Sequence, residues 1–230
     1  MNWVILTAGG GGKRMKINTT KVFLPILAKP LVFFTLKTLE EMKLVDKIVV
    51  TICLIDKERW QKIITEFGFK KVVKLITAGR TRQSSTWKAL KWLKGKAAEE
   101  DLVAVHNAVN PLVTPGEIEA VFKAARKFGA ALLAMPARDT IKIADNDKIV
   151  KDTPLRQFVW YAQTPQVARF GLMFKAFERA QDGGFAGTDD CQLLERLGVK
   201  VKIISCSTEN FKITYPQDLF LAEKILKERG

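Results

Sequence analysis

Short apolar runs alternate with amphipathic stretches along most of this 230-residue chain. This alternation is typical of βαβ units on a mostly parallel sheet. It predicts strands at residues 2–7, 47–54, 72–76, 102–106, 130–135 and 199–204. It also predicts helices that begin at Pro30 and that span residues 57–67, 82–93, 115–128, about 170–181, about 188–197 and 216–228. The length suits one α/β domain over residues 1–230.

The alternation stops between about residues 136 and 163. Short β-like pieces in this segment are separated by Asp, Asn and Pro, which predicts a β-hairpin-like arm rather than another βα unit. The arm is the only candidate for a piece that leaves the body of the domain.

Composition and the cysteines indicate an ordinary globular protein. Hydrophobic residues make up 47% and charged residues 27%, and no apolar run reaches membrane-spanning length, so no membrane partner is expected. The N-terminal apolar run is interpreted as a first strand rather than a signal peptide. Cys53, Cys191 and Cys206 lack metal-ligand spacing, which favours free thiols in a reducing cytoplasm.

The formal net charge of +14 attracts anions, either nucleic acid or phosphorylated metabolites. The basic residues are spread along the chain and no nucleic-acid motif is present, so a nucleic-acid partner is not expected. His106 is the single histidine, which excludes any mechanism or metal site that needs two.

A glycine run follows the first predicted strand: Ala8 precedes Gly9, Gly10, Gly11 and Gly12. Glycines let backbone N–H groups converge closely on phosphate oxygens. The run is neither a P-loop, because Arg14 follows Lys13, nor a dinucleotide fingerprint, because the third glycine and the later acid are missing. Taken alone it is equally consistent with a flexible turn. The cations Arg14 and Lys21 favour a phosphate site.

Six further segments resemble the motifs of one enzyme family, in the same order along the chain. These are GRTRQSS at 79–85 (family GxxRQxS), VHNAVNP at 105–111 (VHDAARP), RDTIK at 138–142 (RDTxK), QTPQ at 163–166 (TPQ), TDD at 188–190 (TD[DE]) and NFKIT at 210–214 (NxKxT). With the glycine loop, the chain resembles the 2-C-methyl-D-erythritol 4-phosphate cytidylyltransferase family from about residue 2 to about residue 225.

The resemblance implies a Rossmann-like nucleotidyltransferase fold, a homodimer, the substrate CTP and a divalent metal such as Mg²⁺. It implies transfer of CMP to 2-C-methyl-D-erythritol 4-phosphate, with release of pyrophosphate, in isoprenoid precursor synthesis. It assigns the catalytic cations to Arg14, Lys21 and Lys212. It assigns CTP binding to Ala8, Gly9, Gly10, Gly11, Gly12, Gly79, Arg82 and Ser85.

The same resemblance assigns the acceptor side to Asn107, Asn110, Thr140, Arg156, Thr164 and Thr188. Thr140 and Arg156 would contact the acceptor's phosphate from the arm of the partner subunit. Glu209 is the best remaining carboxylate for the metal.

Two positions depart from the family pattern in a way that bears on the acceptor. Asn107 stands where the family has Asp, and Asn110 where it has Arg; more mildly, Glu209 stands where an Asp precedes the Asn-x-Lys segment. Loss of both opposite charges leaves the local charge unchanged and avoids an unpaired ion, so we interpret the pair as a coordinated change. The acceptor is then open between methylerythritol phosphate and another polyol phosphate such as ribitol 5-phosphate.

Elementary chemistry explains why one histidine suffices for such a reaction. A phosphate monoester has a second pKa near ~6, so the attacking oxygen is already largely ionised at neutral pH. Positioning and fixed cations then supply most of the catalysis. Two alternatives of other classes stay open: a homologue that binds CTP without turnover, and a nucleic-acid-binding protein suggested by the charge alone.

Overall fold

The computed structural model of the protein describes residues 1–10 and 20–229. Its helices are α1 Leu31–Glu41, α2 Lys57–Glu66, α3 Arg82–Leu93, α4 Pro115–Phe128, α5 Phe170–Asp182, α6 Asp190–Arg196 and α7 Pro216–Arg229. Its strands are β1 Asn2–Thr7, β2 Pro25–Ile26, β3 Lys29–Pro30, β4 Lys47–Ile52, β5 Val72–Thr77, β6 Leu102–Asn107, β7 Ala130–Pro136, β8 Ile143–Ala144, β9 Val150–Asp152, β10 Trp160–Arg169 and β11 Lys202–Ser205. Short 3₁₀ turns occur at Lys21–Phe23, Leu54–Asp56 and Arg156–Phe158.

Seven strands form one sheet in the order β11-β7-β10-β6-β1-β4-β5. All pairings are parallel except those of β10, which runs antiparallel to both β6 and β7. The predicted mostly parallel α/β sheet is therefore confirmed. The strands β1, β4 and β6 lie side by side, so the loops that follow them emerge at the same edge of the sheet.

Successive side chains of the central strands point to opposite faces of the sheet and pack into two separate apolar layers. Val4 and Leu6 pack on one face with α1, α2 and α4, while Trp3 and Ile5 pack on the other with α3, α5 and α6. Both faces of the central strands are thus covered, as expected for the near-continuous apolar runs of a parallel sheet.

The helix boundaries follow from local chemistry. Thr114 caps α4 through a reciprocal contact with Glu117, Pro115 occupies the first turn, and Gly129 ends the helix with a φ of 88°. Such residues stabilise the first N–H groups and allow a left-handed exit from the helix. The predicted bounds of this helix and of α3 match the structure.

The predicted arm differs from the structure at its C-terminal end. The strands β8 and β9 form a separate antiparallel ribbon, as the hairpin-like pattern predicts. From Trp160 onward, however, the chain has returned to the main sheet as the ten-residue strand β10. The part outside the main sheet is therefore residues 137–159, and no strand was predicted for residues 164–169.

The three cysteines of the chain are free thiols. Within the described ranges, no helix combines the length and apolar character needed to cross a membrane.

Candidate active site

A cleft of about 340 Å³ opens where β1, β4 and β6 end, beside the first turn of α3. This volume is in the range of small-molecule sites, and the carboxyl edge of a parallel sheet is where α/β proteins bind ligands. Nine residues predicted from the sequence line it: Ala8, Gly9, Gly10, Lys21, Gly79, Arg82, Ser85, Asn107 and Lys212. The predicted Gly11, Gly12 and Arg14 lie outside the described residues.

Two glycines allow close backbone approach at the cleft: Gly9, after β1, lies against the loop before α3, and Gly79, in that loop, lies against the first turn of α3. A Cβ on Gly9 would lie 2.3 Å from the Ala78 Cβ, and one on Gly79 would lie 2.2 Å from the Ser84 Oγ. Only glycine fits at such distances, so Gly9 lets the two loops pack together and Gly79 lets its loop pack on the start of α3.

The first turn of α3 presents an ordered helix N-terminus to the cleft. The Thr81 side chain accepts from the Ser84 N–H, and the Ser84 hydroxyl in turn accepts from the Thr81 N–H. The Ser85 hydroxyl accepts from the Gly79 N–H at 2.9 Å and donates to the Thr81 carbonyl at 2.7 Å. Ser85 thus holds the Gly79 loop on the helix, and the positive end of the helix dipole favours an anion there.

Arg82 is fixed by a carboxylate that sequence reasoning missed. Its guanidinium pairs with Asp190, which is almost completely buried at the start of α6. Burial raises the pKa of Asp190, while the charge of Arg82 acts in the opposite direction. Gln166 accepts from the N–H groups of Asp190 and Cys191 at 3.0 Å each, so β10 holds this helix start in place.

Asn107 makes four side-chain contacts. Its carbonyl oxygen accepts from the Thr7 hydroxyl at 3.3 Å and from the Arg82 Nε at 3.4 Å. Its amide nitrogen donates to the Asn110 carbonyl oxygen at 3.2 Å and to the Thr164 hydroxyl at 3.3 Å. The two asparagines that depart from the family pattern are therefore in direct contact.

Two lysines from opposite ends of the chain reach the same part of the cleft. Lys21 is only 8% exposed and donates from its Nζ to the Ile213 carbonyl at 2.9 Å. Lys212 precedes Ile213 directly and lines the cleft. The structure brings together two of the three cations assigned to catalysis.

The acceptor-side residues other than Asn107 do not line the cleft. Asn110 and Thr164 are buried behind Asn107. Thr188 is exposed, and its N–H and hydroxyl both donate to Gln192. Thr140 and Arg156 are exposed on the arm, where the Arg156 Nη1 donates to the Arg138 carbonyl at 2.9 Å. Their contacts with an acceptor stay predictions.

A protein cage for Mg²⁺ does not fit the donors of the described chain. No group of three His, Cys, Asp or Glu side chains is found there, and the described lining contains no carboxylate. Glu209, the predicted metal ligand, forms an ion pair with Arg229 and does not line the cleft. A metal at this site would have to enter bound to phosphates, because Mg²⁺ keeps waters and phosphate oxygens as ligands.

The sheet order, the glycine wall and the two lysines define a Rossmann-like nucleotidyltransferase. A profile of the family described as 2-C-methyl-D-erythritol 4-phosphate cytidylyltransferase matches residues 2–228. The chain belongs to this family.

Relatives and solved structures agree with this assignment. The chain is 36% identical over 225 residues to 2-C-methyl-D-erythritol 4-phosphate cytidylyltransferase of Caldanaerobacter subterraneus subsp. tengcongensis, covering 97% of this chain and 98% of that protein. It is 38% identical to the enzyme of the same name from Geobacter metallireducens, with 99% and 98% covered. The structure of 4-diphosphocytidyl-2C-methyl-D-erythritol synthase from Anaerococcus prevotii superposes with a TM-score of 0.84, at 28% identity and with 98% and 97% covered.

Proposed function

We propose that this chain transfers CMP from CTP to 2-C-methyl-D-erythritol 4-phosphate and releases pyrophosphate, a step of non-mevalonate isoprenoid precursor synthesis. One observation carries the proposal: Lys21 and Lys212 meet in a cleft whose other wall is glycine backbone and a helix N-terminus, with no carboxylate in the described lining. Such a cleft suits a triphosphate that must be approached by a second phosphate. The three free thiols suit a reducing compartment, so we propose that the reaction takes place in the cytoplasm.

The reaction balances without a protein base. An ionised oxygen of the acceptor's phosphate forms a bond to the α-phosphorus of CTP, and the bond from that phosphorus to the bridging oxygen of pyrophosphate breaks. The leaving oxygen carries the electron pair away as part of pyrophosphate. Because the nucleophile is already ionised, the work of the protein is to hold two polyanions together and to stabilise the transferring phosphoryl group.

Lys21 and Lys212 are the residues that we assign to this stabilisation. Lys21 is almost completely buried, and its Nζ is held by the Ile213 carbonyl, so its position is fixed before substrate arrives. A pre-positioned cation costs no reorganisation in the transition state. Arg14 is proposed as the third cation on the sequence pattern alone.

Cytidine is proposed to bind between the β1 loop and the loop before α3, with Mg²⁺ as part of the nucleotide substrate. Support comes from the close backbone approach at Gly9 and Gly79 and from the ordered first turn of α3. The residues of this chain orient the nucleotide, while the ion screens phosphate charge when it is bound.

The arm is proposed to mediate a homodimer and to bring Thr140 and Arg156 to the partner's cleft. Six large apolar side chains on or beside it are exposed: Ile143, Ile149, Val150, Leu155, Phe158 and Tyr161. Exposure of so many large apolar side chains in one short segment is typical of protein–protein contact surfaces.

The contacts of Asn107 favour a second candidate function, transfer to another polyol phosphate. Both hydrogens of its amide nitrogen have acceptors within the protein, and its carbonyl oxygen lies within 3.3–3.4 Å of the Thr7 hydroxyl, which the His106 carbonyl shares, and of the Arg82 Nε. An Asp at this position would instead present only acceptors and a charge. Ribitol 5-phosphate is therefore the competitor to test.

The test is pyrophosphate release from CTP and Mg²⁺ with a panel of polyol phosphates, each also run without enzyme. We expect methylerythritol phosphate to give the highest kcat/KM. A higher value with ribitol 5-phosphate would transfer the assignment to that acceptor. CTP binding without release for any acceptor would favour the non-catalytic alternative. Salt-sensitive binding of nucleic acid that needs no CTP would favour the alternative of a nucleic-acid-binding protein.

A further inference from the structure

Buried polar contacts hold the segment that carries Lys212 on both sides of that residue. Two residues before it, the Asn210 side chain is fully buried and donates to the Thr164 carbonyl at 3.1 Å. One residue after it, the Ile213 N–H donates to the Val109 carbonyl at 2.9 Å. The backbone position of Lys212 therefore depends on contacts that lie behind the cleft wall.

Asn110 connects this segment to the residue that faces the cleft. Its carbonyl oxygen accepts from the Asn107 amide at 3.2 Å, and its own amide donates to the Asn210 carbonyl oxygen at 3.4 Å. Asn110 has no solvent exposure and does not line the cleft, so in this structure it cannot contact a substrate directly. Its two partners belong to separate parts of the chain: Asn107 ends β6, and Asn210 lies two residues before Lys212.

We propose that Asn110 is a positioning residue for Lys212, which acts through Asn210 and is itself anchored by Asn107. The inference rests on the proposed function, because it assigns to Lys212 the charge that the reaction needs. Two properties support it. A buried amide whose partner is removed is left with unsatisfied groups, so the segment would have to shift. A catalytic cation also loses most of its effect when it moves by about an ångström.

The first experiment follows the segment itself and needs no acceptor. Hydrogen exchange is measured by mass spectrometry on wild type, Asn110→Ala and Asn210→Ala. We expect exchange in the peptide around residues 207–214 to become at least about tenfold faster in both variants. Unchanged exchange in that peptide would overturn the proposal.

A matched control is available at the opposite edge of the sheet, where β1 and β6 begin. Asn2 is also a nearly buried asparagine with two side-chain contacts, to the Leu44 carbonyl and from Arg126. Asn2→Ala removes a comparable pair of hydrogen bonds far from the cleft. The Asn2→Ala variant should show the wild-type exchange rate around residues 207–214 and the wild-type turnover. This should hold even if its melting temperature falls as much as that of Asn110→Ala.

The second experiment is a double-mutant cycle on single-turnover rate. Asn110→Ala should slow the chemical step about tenfold or more in wild type, but less than about twofold when Lys212→Ala is already present. Equal slowing in both backgrounds would mean that Asn110 acts independently of Lys212. If wild type turns over none of the acceptors, the proposed function fails, whereas the exchange experiment still decides whether Asn110 positions the segment.

Discussion

At the scale of single residues, the cleft is organised around two lysines separated by 191 positions in the chain. The buried Lys21 amine is hydrogen-bonded to the backbone carbonyl of Ile213, the neighbour of Lys212. We expect Lys21→Ala and Lys212→Ala each to lower kcat at least about a hundredfold, with a much smaller change in CTP affinity, because their charge is needed where charge develops. Steady-state kinetics and CTP titration measure the two effects separately.

An exposed lysine supplies the control for these two variants. Lys62 lies on the solvent side of α2, and Lys62→Ala changes the net charge by the same amount. It should leave kcat unchanged. Near-normal turnover in either cleft variant would remove that lysine from the mechanism.

Asn107 and Asn110 are in contact, so restoring the family's Asp and Arg at these two positions should have coupled effects. Asn107→Asp alone places a carboxylate near the Arg82 Nε, which offsets part of its charge. Asn110→Arg alone forces a guanidinium into a position with no solvent exposure and should be the more damaging change. The double variant restores both signs, so we expect a favourable coupling of about 0.5–3 kcal/mol.

A double-mutant cycle on kcat/KM measures this coupling, with methylerythritol phosphate and ribitol 5-phosphate as parallel acceptors. The double variant should gain most with methylerythritol phosphate. Strictly additive effects would mean that the two substitutions are independent and tolerated separately.

The sequence predicts residue types at the cleft better than it predicts their partners. Lys21, Gly79 and Asn107 line the cleft, and each could be predicted because it belongs to a short local motif in the sequence. The pair of Arg82 with Asp190 joins residues 108 positions apart, and only the fold brings them together. At the start of α6 the Asp189 side chain caps the helix by accepting from the Gln192 N–H, which leaves the neighbouring Asp190 to pair with Arg82.

At the scale of elements, β10 is the strand that hydrophobic periodicity predicts least well. Periodicity identifies β1, β4 and β6 because both of their faces are buried and their residues are apolar. Pro165 and the polar Gln163 and Gln166 interrupt any such pattern in β10, and the pairing register with β7 shifts between Ala162 and Gln166. The second half of this strand is specified by its neighbours rather than by its own sequence.

The arm leads to a prediction about assembly. Leu155 and Phe158 are 67% and 73% exposed, so Leu155→Asp with Phe158→Asp should convert a dimer to a monomer in analytical ultracentrifugation. Phe220 on α7 is 76% exposed and provides the control, since Phe220→Asp should leave the dimer intact. A wild-type chain that is monomeric and fully active would contradict the proposal.

Exchange of subunits tests whether Arg156 acts on the partner's cleft. Arg156→Ala and Lys212→Ala are each expected to be nearly inactive alone. In a mixed dimer the cleft of the Arg156→Ala subunit receives an intact arm from its partner. An equal mixture should therefore recover about a quarter of wild-type activity if subunits combine at random. Normal activity of Arg156→Ala alone would place Arg156 outside the mechanism, and no recovery after exchange would place it in the site of its own subunit.

At the scale of the whole molecule, the single histidine contributes to the dependence of stability on pH. His106 is completely buried in β6. Burial first, and then the nearby charge of Arg82, lower its pKa from 6.5 to about 3. The folded state keeps the ring neutral, whereas the unfolded chain takes up a proton near pH 6.5. Stability from this residue is therefore complete above pH 6.5 and is lost as the pH falls toward 3.

The size of this effect can be measured by chemical unfolding between pH 7 and pH 5. Protonation of the unfolded chain should lower the free energy of unfolding by about 2 kcal/mol over this range. Burial raises the pKa of Asp190 and of Glu195, which act in the opposite direction, so the comparison must be with a variant that retains both. His106→Leu is that variant. Between pH 7 and pH 5 its free energy of unfolding should fall by about 2 kcal/mol less than that of wild type, because only the histidine contribution is removed. Parallel pH profiles for the two proteins would mean that His106 is charged in the folded state or that its pKa is not displaced by burial.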